Sequence, residues 1–206
     1  MKNQEVADYY NKFYSDDGKA FSGEPLPLVK LLTEYLTTGK ILEIGTGAGR
    51  NALFLASKGF EVRAMDISSL AIERLVKKAQ ESNIKLTADV SDIAEEDLQD
   101  AYDAIICTFT FHHLDEEDAE LAIRKIQQHT KPSGFNLITT FTKNGDFFKN
   151  NPDTANFYLN NKEQLEHLYA GWKLIKSFER EGQSRALDTL GKPQSNTFVG
   201  LLAQKI

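Results

Sequence analysis

Three groups of residues in this sequence have types and spacings suited to chemistry. The first is Glu43-Ile44-Gly45-Thr46-Gly47-Ala48-Gly49-Arg50-Asn51, an acid followed by glycines at every second position. Gly45 and Gly47 let backbone approach a ligand with no Cβ in the way, and positive φ costs them little. A helix starting beyond them would offer free N–H groups and the positive end of its dipole. The second group is a pair of acids, Asp66 and Asp89, each closing a short run of strand-like residues. Their carboxylates can accept hydrogen bonds from hydroxyl or amino groups. The third is Thr108-Phe109-Thr110-Phe111-His112-His113-Leu114, where an apolar run ends in two imidazoles able to exchange a proton near neutral pH.

Two ligand classes use such a glycine turn. The dinucleotide fingerprint G-x-G-x-x-G/A needs a small residue one place after Gly49, and Arg50 stands there. That disfavours a nicotinamide-dependent oxidoreductase. The spacing present, E-x-G-x-G-x-G, resembles motif I of the class I S-adenosylmethionine (SAM) methyltransferases. Asp66 follows Gly45 by about 20 residues at a strand end, where an acid can bind ribose hydroxyls. It could instead cap the next helix, although Ser68 and Ser69 are free to do that. Asp89, after the third strand, fits an adenine amino group, with turn stabilisation by Asp89 or Asp92 as the alternative.

Alternating strands and helices must position these residues. Pro25 and Pro27 precede Leu28, Leu31, Leu32, Tyr35 and Leu36, an amphipathic stripe closed by Gly39. Strand 40–44 leads through the glycine loop into a helix over 51–57, with Leu53, Phe54 and Ala56 turned inward. Strand 60–65 ends at Asp66. A helix over 69–81 carries Ala71, Ile72, Leu75, Val76 and Ala79, and strand 84–88 ends at Asp89. Residues 102–107 form a fourth strand apolar on both faces, in which Cys107 is a buried hydrophobe. Asp115 to Asp118 open a helix with acids suited to its dipole, and Ala119, Ala122, Ile123 and Ile126 are its core stripe. A fifth strand runs to Phe141. Residues 143–160 read as a loop or insertion over the active face, and Leu165, Leu168 and Tyr169 mark a short helix. Two closing strands, 172–179 and 197–203, pair antiparallel with a polar loop from Glu181 to Asn196 between them. The pattern predicts a three-layer α/β sandwich, Rossmann-like and mostly parallel, with a C-terminal antiparallel hairpin. Residues 4–14, with Tyr9, Tyr10, Phe13 and Tyr14, form either a helix capping the core or, with the loop to residue 24, a lid over the ligand.

The length of 206 residues suits a single domain, and 41% hydrophobic with 26% charged residues is ordinary globular composition. A net charge of −6 argues against broad contact with phosphate backbones, so a small molecule is expected in place of nucleic acid. The lone Cys107 excludes an internal disulfide and a multi-cysteine metal site. No apolar run reaches the roughly 20 residues that span a bilayer, and the first residues lack a signal-peptide core. A cytoplasmic protein without membrane association is expected, as a monomer or weak homodimer.

The chain resembles one branch of the class I methyltransferases, the tellurite-resistance methyltransferases. Leu42-Glu43-Ile44-Gly45-Thr46-Gly47-Ala48-Gly49-Arg50-Asn51, Thr130-Lys131-Pro132-Ser133-Gly134-Phe135-Asn136-Leu137-Ile138 and Tyr169-Ala170-Gly171-Trp172 carry the likeness. It implies SAM as cofactor, held by Glu43, Gly45, Thr46, Gly47, Arg50, Asp66, Ile67, Asp89, Val90 and Thr108. It also implies a small acceptor, either a tellurite- or selenite-type oxyanion or a small thiol. The family's Gly-Glu-Leu-His-Arg segment is replaced here by Gly182-Gln183-Ser184-Arg185-Ala186, and Thr46 stands where cysteine is common. Arg185 is therefore the one charge left for substrate in that segment, on the resemblance alone.

SAM carries an already activated methyl group, so the protein's task is mainly orientation and exclusion of water. A base is needed only for a protonated nucleophile. His112 and Arg185 are the candidate catalytic residues, with Arg50 and His113 as further polar neighbours; no metal is called for. A catalytically silent SAM-binding regulator is the alternative function.

Overall fold

The computed structural model describes residues 3–15, 23–150, 157–187 and 191–206; side chains are described for residues 4–15, 23–150, 157–183 and 191–206. Seven strands form one sheet: β1 (Lys40–Ile44), β2 (Glu61–Asp66), β3 (Thr87–Val90), β4 (Tyr102–Thr108), β5 (Thr130–Phe141), β6 (Lys173–Leu187) and β7 (Pro193–Gln204). Their spatial order is β3-β2-β1-β4-β5-β7-β6. β1 to β5 are mutually parallel and β7 runs antiparallel between β5 and β6. The helices are α1 (Asn3–Ser15), α2 (Pro27–Tyr35), α3 (Arg50–Ser57), α4 (Ser69–Glu81), α5 (Glu116–Gln128), α6 (Asp146–Asn150) and α7 (Lys162–Leu168). The expected Rossmann-like three-layer α/β architecture with its closing hairpin is present.

Strand alternation sorts the core into two layers. Leu42 and Ile44 of β1 join Ile105 and Cys107 of β4 under α5 and α7. Ile41 joins Ala104 and Ile106 on the other face, under α2 and α3. Parallel strands buried on both faces explain why β4 reads as an unbroken apolar run. Cys107 is fully buried, and burial pushes its thiol pKa up, so it remains a packing residue.

Several local expectations need correction. In α3 the inward residues are Asn51, Ala52 and Leu55, while Leu53, Phe54 and Ala56 are only partly covered. The helix begins at Arg50, one residue earlier than expected. Tyr35 and Val76 are exposed, because α2 and α4 rest on narrower stripes than the sequence offered. β3 starts and ends later than residues 84–88. The polar segment from Glu181 to Asn196 is mostly strand, since β6 and β7 extend into it and pair as far as Leu187 and Pro193, with a register shift after Gln183. Residues 143–160 contain α6, and Thr142 bridges Leu159 in the same segment. Among the described residues no helix is long and apolar enough to cross a membrane.

Candidate functional site

A cavity of about 970 Å³ opens at the C-terminal edges of β1, β2, β4 and β5, and the glycine loop forms its floor. β1 ends in that loop, where Gly45 and Thr46 donate their N–H groups to the Met65 carbonyl at 2.8 and 3.0 Å. Gly45 and Gly47 take φ of 67° and 56°, a region that L side chains rarely adopt. A Cβ on Gly45 would strike the Thr110 side chain, and one on Gly47 would strike the Tyr14 hydroxyl. Both glycines are therefore required by conformation and by space.

Glu43 lies beneath this loop rather than on the cavity. The same alternation that turns Ile41 toward α2 and α3 turns Glu43 inward, and the residue is 1% exposed. Its carboxylate accepts hydrogen bonds from Thr46 Oγ1 and Asn51 Nδ2, both at 2.8 Å. Asn51 Oδ1 in turn accepts from the Leu26 N–H at 3.0 Å. Burial lifts the Glu43 pKa to about 7 against the opposing pull of Asn51 and Thr46. Expected as a cofactor contact, Glu43 instead braces the loop. Thr46, Arg50, Thr108 and Ile67 do line the cavity.

Asp66 closes the other wall. Its Oδ2 accepts from the Gly47 N–H at 2.7 Å and its Oδ1 from the Ser68 N–H at 2.9 Å. Ser68 caps α4 by accepting from the Ala71 N–H, so the helix does not consume Asp66. Burial raises the Asp66 pKa, opposed by its two backbone donors. Each carboxylate oxygen keeps a lone pair for a further donor.

The acid beyond β3 is not the one expected. Asp89 turns to β2, where its Oδ2 takes the Arg63 Nε–H at 2.7 Å, and it is not on the cavity wall. Val90 is 56% exposed and also lies outside the main cavity, facing a side pocket beyond Asp92. Asp92 lines the cavity instead. Its Oδ1 accepts the Ala94 N–H at 2.9 Å, while Oδ2 is buried without a hydrogen-bond partner. Burial raises its pKa first of all. A donor delivered by a ligand would satisfy this orphaned oxygen.

Helix α1 lies across the cavity. The Tyr10 hydroxyl and His113 Nε2 share a hydrogen bond of 2.7 Å, and Asn11 Oδ1 accepts from Ser68 Oγ at 2.8 Å. Tyr14, Ala48 and Ala71 form a small buried cluster with Phe13 and Leu70 at its edge. Burial holds the Tyr10 phenol well above its usual pKa. Residues 16–22 of the expected lid lie outside the described residues.

The far end of the cavity is aromatic. His112 and His113 occupy a single 3₁₀ turn (Phe111–His113) after β4, with ring centroids 3.8 Å apart. His112 also meets Phe141 edge-on at 4.8 Å, and its Nδ1 is buried without a partner. Burial, reinforced by His113, depresses the His112 pKa well below 6.5, and burial brings His113 down to about 4. Both rings are neutral at physiological pH. Phe109, Phe141, Phe147, Phe178 and Phe198 contribute half-buried rings, and Lys176 and Arg180 stand among them. Arg180 lies just beyond the strand end expected at Glu179, and Lys176 lies within that strand. The period-2 series Lys176, Phe178, Arg180 was the available signal. Arg185 belongs to β6 by its backbone, but its side chain lies outside the described residues. No cluster of metal-ligating side chains occurs among the described residues.

The family model "Tellurite resistance protein TehB" matches residues 3–202. Hemagglutinin 1 of Eikenella corrodens is 36% identical over 201 residues, covering 98% of this chain and 64% of that protein. A probable S-adenosyl-L-methionine-dependent methyltransferase TehB of Haemophilus influenzae is 28% identical over 198 residues, covering 96% of this chain and 66% of that protein. The crystal structure of TehB from Haemophilus influenzae superposes with a TM-score of 0.76 at 25% identity, covering 97% of this chain and 67% of that one. The chain thus spans a little under two thirds of the length of these two curated relatives.

Proposed function

The chain belongs to the tellurite resistance protein TehB family, and from that premise we propose that it is a SAM-dependent methyltransferase acting on a small-molecule acceptor. The observation that carries this reading is the buried Asp66 carboxylate, 2.7 Å from the Gly47 N–H at the head of a cavity floored by positive-φ glycines.

The residues present suit an adenosyl group. Asp66 has lone pairs left for ribose hydroxyls, and the orphaned Asp92 Oδ2 matches the amino group of adenine. Ile67 supplies an apolar wall between these two acids, and Gly45, Thr46 and Gly47 admit the ligand against bare backbone. Arg50, first residue of α3 and on the cavity wall, would attract the methionyl carboxylate. Glu43 acts through the loop that it braces. When bound, SAM would supply a methyl group activated by its sulfonium.

The chain's own contribution is to orient, enclose and take a proton. α1 closes the cavity through Tyr10 and Asn11, which keeps water from the reacting centre. His112, neutral and with an unpartnered Nδ1, receives the proton of an acceptor that arrives protonated. For an oxyanion no base is needed, and the cations of β6 would matter more. The family resemblance implies tellurite- or selenite-type oxyanions or small thiols as acceptors. The reading further has residues 1–206 acting as one catalytic domain in the cytoplasm, without nucleic acid, as a monomer or weak homodimer. Incubation with SAM and each acceptor, followed by mass spectrometry, tests it. S-adenosylhomocysteine and a methylated product in equal amount support the reading; SAM binding without turnover on any acceptor would leave a silent SAM-binding protein.

A further inference from the structure

The acceptor end of the cavity is built across three strands, and their register fixes what shares a face. Residues directly opposite on neighbouring antiparallel strands point the same way. Phe141 pairs with Phe198, and Phe198 pairs with Arg180. The next row on this face is Thr139, Gly200 and Phe178. Gly200 leaves room for the Phe178 ring, which a Cβ there would contact. Arg180 stacks over Phe178 at 4.9 Å, and Lys176 follows on the same face of β6. The sheet therefore presents a band that is aromatic at β5 and cationic at β6, two strand spacings or roughly 10 Å away.

Above the aromatic half stands Phe109, whose φ of 54° is unusual for a bulky side chain. Its N–H is fixed to the Thr139 carbonyl at 2.8 Å, and its ring meets Phe141 at 5.1 Å and Phe198 at 5.5 Å. Such strain persists where surrounding structure imposes it, commonly at ligand sites. The rings remain half-buried, so an occupant with its own apolar surface would gain by covering them. A small hydrated oxyanion would leave them bare and lose its water to apolar walls.

Resting on the methyltransferase reading above, we infer that the acceptor is an organic acid with a planar apolar body, seated among Phe109, Phe141 and Phe198 with its anionic group at Arg180 and Lys176. The nucleophilic hydroxyl or thiol of such a molecule lies at its opposite end, toward His112. Aryl and unsaturated hydroxy acids have this layout.

Calorimetric titration of the protein already saturated with S-adenosylhomocysteine tests this, with para-hydroxycinnamate, its methyl ester and tellurite as probes. The acid should bind about tenfold more tightly than the ester, a single charge-assisted contact being enough for that difference. Tellurite should give no heat. In Lys176→Ala/Arg180→Ala the acid should fall to the affinity of the ester, with ester affinity and melting temperature unchanged. Equal binding of acid and ester, tighter binding of tellurite, or an acid affinity untouched in the double variant would each overturn the inference while leaving the methyltransferase reading intact. Failure at the saturation step, before any probe is added, would instead remove the reading itself.

Discussion

Tyr10 and His113, separated by 103 positions in sequence, meet through a 2.7 Å hydrogen bond over the cavity. It joins a helix that precedes the sheet to the turn that ends β4, so the position of the N-terminal helix is tied to that of His113. In Tyr10→Phe, the ring is retained and the bond is lost. A stability change of about 0.5–1.5 kcal/mol is expected, with a several-fold faster release of S-adenosylhomocysteine in stopped flow. Release at the wild-type rate would mean that α1 does not act as a lid.

Gly45 faces Thr110 with a backbone that disfavours any Cβ. Gly45→Ala should cost about 1–2 kcal/mol from the left-handed conformation alone, more as Thr110 is displaced. SAM affinity should fall with it, because the floor of the cavity moves. A calorimetric titration and a thermal melt measure the two effects separately.

The buried acid and the buried histidines act on stability in opposite directions. Glu43, lifted from 4.5 to about 7 by burial, holds a proton in the fold that the unfolded chain releases, so stability falls as pH rises through that window. His113, lowered from 6.5 to about 4 by burial, stays neutral in the fold, so its contribution is complete above pH 6.5 and is lost as pH falls toward 4. Glu43→Gln removes only the first dependence. Relative to wild type, the variant should therefore gain roughly 1–3 kcal/mol in denaturant melts between about pH 5 and about pH 8. A difference independent of pH would show that Glu43 is ionised throughout.

His112 offers a neutral imidazole whose Nδ1 has no protein partner. For a hydroxyl acceptor, His112→Gln should lower kcat by about 10²–10⁴-fold, the usual range for a lost general base. SAM affinity should be little affected, and the deficit should shrink at alkaline pH as the acceptor ionises unaided. An unchanged kcat would assign the histidine to packing alone.

Much of this arrangement was legible in the order of residues. The glycine spacing, the acid ending β2 and the Ser68 cap are local features, set by steric and hydrogen-bonding rules that act over a few residues. What escaped depended on neighbouring strands. Asp89 looked available until β2 brought Arg63 alongside it, which left Asp92 to face the cavity. Glu43 looked like a ligand contact until strand parity turned it inward to Thr46 and Asn51. Arg180 was hidden because the extent of β6 is set by its pairing with β7, not by its own composition.

The most direct test of the central claim is calorimetric titration of SAM into the wild-type chain and into Asp66→Asn. The substitution retains one side-chain acceptor for the Gly47 and Ser68 N–H groups but loses the charge, which keeps the fold testable by thermal melt. The account predicts one-to-one binding in the wild type and an affinity at least about tenfold weaker in the variant, or roughly 1.4 kcal/mol. Absence of binding in the wild type, or equal affinity in both proteins, would contradict it.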